Sequence, residues 1–152
     1  MIDQKGFLSK CKQAAMNIGM SWPGYVAAEA ALESAYGTSD LAAEDFNLFG
    51  MKQHRHPIYG TVNLPTREFL HGEWEKVMAP FVKYPDWETC LRDRMATLTR
   101  LAPAYPHYAA ALAAGDGPTF IRELSKTWST DPERADKILK IYNDNLDVLG
   151  FG

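Results

Sequence analysis

The segment from Asn47 to Phe81 interrupts a sequence that is otherwise patterned for helices, and this interruption limits the folds open to the chain. Within it the 3.6-residue period is lost, and Gly50, Pro57, Gly60, Pro65 and Gly72 cut the sequence into short pieces. Thr66 to Leu70 and Glu73 to Val77 flank His71-Gly72, the pattern of a β-hairpin. On both sides apolar residues return at helical spacing. Helices around a small β insertion predict an α+β, mainly helical domain over residues 1–152, with a β lobe at about 50–82 and a cleft between two unequal lobes.

The helical parts carry their own start and stop signals. Asp3 is placed to cap a helix running to about Ile18, with Phe7, Leu8, Cys11, Ala14, Ala15 and Ile18 on one face. Ser21-Trp22-Pro23 opens a second helix, whose Val26, Ala27, Ala30 and Ala31 make a small-residue face and whose end falls near Tyr36-Gly37. Ser39 caps a short helix over Leu41 to Glu44. Asp86 caps a longer one bearing Cys90, Leu91, Met95, Leu98 and Leu101. An alanine-rich helix ends near Ala114, and Pro118 opens another with Phe120, Ile121 and Leu124. Asp131-Pro132 reads as a cap followed by Pro in the first turn of a last helix through Ile138, Ile141 and Tyr142.

Composition narrows the function. The net charge of −3 argues against a general nucleic-acid binder, which shows a basic stripe, and is neutral towards an uncharged, sugar-like substrate. No run approaches the ~20 apolar residues that span a bilayer, so membrane insertion is not expected. Met1 to Lys12 has no apolar run after a basic start, so a secretory signal is not expected either. Cys11 and Cys90 fall on apolar helix faces, where buried free thiols are favoured over a disulfide. His54 and His56 lack carboxylates at ligand spacing, so neither a metal nor another cofactor is expected.

The richest stretch for chemistry is Ala28 to Lys52. Glu33 falls in the last turn of its helix, beside the negative end of the helix dipole, which disfavours a carboxylate anion. Burial beside Tyr36 would act in the same direction. That is the environment of a general acid, although Glu33 taken alone also fits an ordinary exposed helix-end glutamate.

The wider pattern is more specific. Glu33-Ser34-Ala35-Tyr36-Gly37, then Ser39 to Ala42, then Asn47 to Lys52 resembles the signature of the glucosaminidase family of peptidoglycan hydrolases, glycoside hydrolase family 73. That family includes the muramidase-like domain of flagellar rod-cap proteins and several autolysins. Thr66-Arg67-Glu68, Ala79-Pro80-Phe81 and Trp128 to Pro132 resemble further family motifs, in the right order from about residue 5 to residue 149. The sequence departs from the family at Ala35 and Tyr36 in place of Gly-Trp, at Trp128 in place of Tyr, and at Arg134 where a second Tyr is common.

The resemblance implies a lysozyme-like fold and a glycan strand of peptidoglycan as substrate. The bond it implies is the β-1,4 link on the reducing side of N-acetylglucosamine. It makes Glu33 the catalytic acid and Glu68 the base or charge stabiliser, unless the substrate's 2-acetamido group takes that part. Tyr36, Asn47, Phe49 and Trp128 are the expected substrate-binding residues. An inactive peptidoglycan-binding scaffold, a muramidase and a lytic transglycosylase of the same fold are the alternatives. Such an enzyme would be made in the cytoplasm and reach the wall by phage-lysin-like release or by a secretion system. An injected effector would call for an immunity protein as partner.

Overall fold

The computed structural model describes residues 3–53 and 59–150. The elements run α1 (Gln4–Asn17), α2 (Pro23–Ser34), α3 (Asp40–Asp45), β1 (Thr61–Leu70), β2 (Glu73–Val82), α4 (Trp87–Leu101), α5 (Pro106–Leu112), α6 (Gly117–Trp128), α7 (Arg134–Asp144) and α8 (Leu146–Leu149). The fold is mainly helical, with a small two-stranded antiparallel sheet.

Local chemistry starts most of the helices where the sequence predicts. The side chains of Asp3, Ser39, Asp86 and Asp116 accept hydrogen bonds from the backbone N–H of Gly6, Ala42, Thr89 and Thr119, at 2.8, 3.2, 2.7 and 2.7 Å. Each satisfies one donor that the first helical turn leaves without an internal partner. The last long helix begins later than Asp131-Pro132 suggests. Asp131 Oδ1 accepts from Glu133 N at 2.9 Å and Oδ2 pairs with Lys137, so Asp131 closes a tight turn and α7 starts at Arg134.

The centre of the molecule is α2. Val26, Ala27, Ala28, Ala30 and Ala31 are all fully buried, so this helix is enclosed on nearly every side rather than along one stripe. Small side chains allow its neighbours α1, α6, α7 and α8 to come close. At Gly24 a Cβ would lie 2.3 Å from the carbonyl oxygen of Leu149, so only glycine fits there. Around α2 the core is completed by Leu8 and Cys11 from α1, Leu91 and Leu98 from α4, Ile121 and Leu124 from α6, and Ile138 from α7. Cys11 and Cys90 are both free and buried.

The hairpin is longer than the sequence pattern implies. Its ten-residue strands pair from Thr61↔Val82 to Leu70↔Glu73. The turn residues His71 and Gly72 both take positive φ, 53° and 81°, which matches the twist of a tight hairpin. Pro65 obscures the first half of β1 in the sequence. It is tolerated because a two-stranded sheet always has an open edge, where a missing N–H breaks no ladder. At its root the hairpin joins the helices through backbone bonds: Val82 N to Met51 O, Gln53 N to Pro80 O and Tyr84 N to Asp45 O.

Candidate active site

Glu33 stands in the last turn of α2, just before the chain takes two successive left-handed residues at Ala35 and Tyr36. Its side chain is 25% exposed and opens into a cavity of about 500 Å³. Phe49, Thr97, Tyr108, Trp128 and Ser129 help to line this cavity, so the loop after α3 and helices α4, α5 and α6 all contribute to it. A larger concavity, about 970 Å³, lies between α6 and the start of α7 and adjoins the first at Ser129. Its charged residues are mostly paired with one another or with near neighbours, as in Lys126–Glu123 and Arg122–Asp136. The smaller cavity is the one lined by Glu33, the residue that the sequence motif singles out.

The helix dipole is not the only field acting on Glu33. Arg134, from the first turn of α7, donates Nε–H to Glu33 Oε1 at 2.8 Å. The same guanidinium donates from Nη1 to Ser125 Oγ at 2.8 Å and from Nη2 to Glu29 Oε2 at 2.7 Å. Glu29, one helical turn before Glu33 and fully buried, also receives a two-pronged bond from Arg94 at 2.7 and 2.6 Å. Burial alone would raise the Glu29 carboxyl, but Arg94 and Arg134 outweigh it and bring it down to about 2. Burial also opposes the charge of Arg134, and Glu29 and Glu33 more than offset that, holding the guanidinium above its ordinary value.

Arg94 has a second task. Its guanidinium carbon lies 4.3 Å from the ring centroids of both Phe49 and Trp128, so a buried cation is stacked between two walls of the cavity. Trp128 also meets Tyr108, with ring centroids 6.3 Å apart. The aromatic lining is thereby tied to the same charge cluster as Glu33.

The structure brings together Glu33, Phe49 and Trp128 of the residues expected at the site. Tyr36 is not among the lining residues, and its ring packs edge-on against Phe7, 6.2 Å between centroids. Asn47 is buried behind the wall and does not line the cavity. Its Nδ2 donates to the carbonyls of Met51 and Val82, and its Oδ1 accepts from Met51 N, all at 2.9 Å, which shapes the loop carrying Phe49. Glu68 belongs to β1, in register with Glu75 of β2. His54 and His56 lie outside the described residues. Among the described residues no group of three acidic, His or Cys side chains is arranged to hold a metal.

Sequence reading missed Glu29, Arg94, Ser125 and the pairing role of Arg134. Two signals were present. Glu29 interrupts the alanine face of α2, and Arg94 falls between Leu91 and Leu98 on the buried stripe of α4. Charged residues are almost never fully buried unless paired, so two on apolar faces point to an internal ion cluster.

A lysozyme-like helical fold with an acid in the cleft defines a class of glycan-cleaving enzymes, and the comparisons narrow it. The glucosaminidase family profile, described as mannosyl-glycoprotein endo-beta-N-acetylglucosaminidase, matches residues 9–147, and the chain belongs to this family. It is 30% identical over 142 residues to the peptidoglycan hydrolase FlgJ of Escherichia coli K12, covering 82% of this chain and 44% of that protein. The chain thus spans less than half the length of that relative. The catalytic domain of the autolysin Auto from Listeria monocytogenes superimposes with a TM-score of 0.80 at 28% identity, over 93% of this chain and 84% of that one. The glycoside hydrolase domain of Salmonella typhimurium FlgJ does so with a TM-score of 0.70 at 28% identity, over 95% and 98%.

Proposed function

We propose that the protein hydrolyses peptidoglycan as an endo-β-N-acetylglucosaminidase, with Glu33 as general acid. The observation that carries this reading is the setting of Glu33, in the wall of an aromatic-lined cavity with one carboxyl oxygen fixed by Arg134. Because Oε1 is engaged by an N–H donor, the transferable proton belongs on Oε2. From there it passes to the glycosidic oxygen as the bond to the anomeric carbon breaks. Trp128 is only partly buried and is the aromatic ring most open to a sugar, while the buried Phe49 and Tyr108 back the wall behind it. Glu68 is proposed as the second carboxylate, activating water or stabilising the oxocarbenium-like charge. Family membership supports the β-1,4 bond on the reducing side of N-acetylglucosamine as the one cut. No helix among the described residues is long and apolar enough to cross a membrane. The proposed place of action is the cell wall, reached by release or by delivery. Were the chain injected into rival cells, its producer would need a protein that blocks this cleft.

The test is digestion of purified sacculi by wild type and Glu33→Gln, followed by reduction and mass spectrometry of the fragments. Wild type should give reduced N-acetylglucosamine ends, and the variant should give almost no fragments. Reduced muramic acid ends would mean a muramidase, and anhydro-muramic ends a lytic transglycosylase. Undiminished turnover by Glu33→Gln would remove Glu33 from the chemistry.

A further inference from the structure

Glu29 takes no part in the proton transfer described above, yet it sits at the centre of the charge cluster that holds the acid. Both of its oxygens are occupied by guanidinium groups that are themselves almost wholly buried. Arg134 is left with Nη1 on Ser125 and Nε on Glu33. The other titratable groups facing the cluster are Cys11 from α1, Cys90 from α4, Tyr108 from α5, Asp131 from the turn before α7, which is paired with Lys137, and, at the cavity, Lys52. Burial pushes the Cys11 thiol and the Tyr108 hydroxyl up and Cys90 to about 12, so all three are neutral at neutral pH.

The charges of the cluster then decide what Glu33 experiences. Glu29, Arg94 and Arg134 together carry one net positive charge. An ionised Glu33 balances it, and a protonated Glu33 leaves it uncompensated. Without Glu29 the two arginines would favour the Glu33 anion far more strongly, since opposite charges in a buried setting act with little screening.

We infer that Glu29 is a positioning residue that sets how high in pH Glu33 remains a proton donor. It cancels one of the two buried positive charges, and it holds Arg134 so that Nε faces Glu33. This inference rests on Glu33 being the acid.

The test is the pH dependence of kcat on purified sacculi for Glu29→Gln, Arg94→Met and Arg94→Lys. Glu29→Gln raises the charge of the buried trio from one to two. The limb where activity falls with rising pH should then move to lower pH, by roughly one unit. Arg94→Met lowers that charge to zero and should move the same limb to higher pH by a similar amount. Arg94→Lys keeps the charge and should keep the limb in place. A purely structural role would lower the melting temperature of all three and shift no limb. Unmoved limbs, or limbs of Glu29→Gln and Arg94→Met that move in the same direction, would overturn the proposal. If Glu29→Gln fails to fold, Arg94→Met decides the matter alone, and an unmoved limb refutes it. Glu33→Gln serves as the control. Activity retained there removes the acid itself, whereas an inactive Glu33→Gln beside unmoved limbs refutes only the role of Glu29.

Discussion

The helical body and the hairpin offer two different ways of holding the two carboxylates proposed for catalysis. In the body, Glu33 is fixed by an arginine that is fixed in turn by Glu29 and Ser125, and each of these stands on a helix packed in the core. The hairpin pairs mainly with itself and meets the helices at its root. Along β2, Trp74 beside the turn and Met78 in mid-strand are 62% and 64% exposed. The acid therefore belongs to the most over-determined part of the molecule, and the proposed second carboxylate to the least. Elements with few buried contacts are the ones that open and shift at low cost, so the hairpin is the part of the fold expected to yield first and the helical body the last.

The sharpest way to break this contrast is to remove a charge from the body. Glu29→Ala leaves two buried guanidinium groups without their carboxylate. It should cost about 3–5 kcal/mol of stability, read from denaturant unfolding. A loss near that of a surface substitution would mean that the cluster holds nothing in place. The next largest effect is expected in the hairpin, and in a different measurement. Glu68→Gln should lower turnover by at least about a hundredfold with no change in melting temperature. Near-normal activity would leave Glu33 working with the substrate's acetamido group instead.

An intermediate effect is expected at the cavity wall. Trp128 is partly buried and stacked on Arg94, so Trp128→Ala should raise KM more than it lowers kcat. It should also cost about 0.5–2 kcal/mol from the lost cation–π contact. An unchanged KM would show that Trp128 serves only to cover Arg94. Acid stability gives a further measure of the body. The folded Glu29 carboxyl lies at about 2, below its ordinary 4.5. Its contribution is therefore complete above pH 4.5 and lost as pH falls towards 2. The wild-type melting temperature should fall across that window, and Glu29→Gln should show a flatter profile. The smallest effect is expected in the middle of β2, where Met78 is 64% exposed and Met78→Ser should change stability by no more than about 0.5 kcal/mol.

The parts legible in the sequence are those decided within a few residues. The caps at Asp3, Ser39 and Asp86 act on donors three residues away, and the His71-Gly72 turn is set by its own two backbone angles. Glu33 stands out as a candidate in the sequence because its motif is contiguous. The partners of Glu33 were not, because Glu29, Arg94, Ser125 and Arg134 come from four helices and meet only once those helices pack. Asn47 shows the same limit from the other side. Its type and place in the motif pointed to a role at the site, but only the fold shows its amide turned inward to tie Met51 and Val82. The length of the hairpin was obscured by Pro65, whose cost depends on which strand edge is open.

Cys11 and Cys90 lie in the seam between α1 and α4, unjoined and without contact with water. The packing of this seam uses no disulfide. A thiolate is the reactive form, and both groups are held well away from it. In the native protein they should therefore ignore alkylating reagents. The rate at which such a reagent marks them then times the opening of the seam, a stopwatch for unfolding that needs no engineered probe.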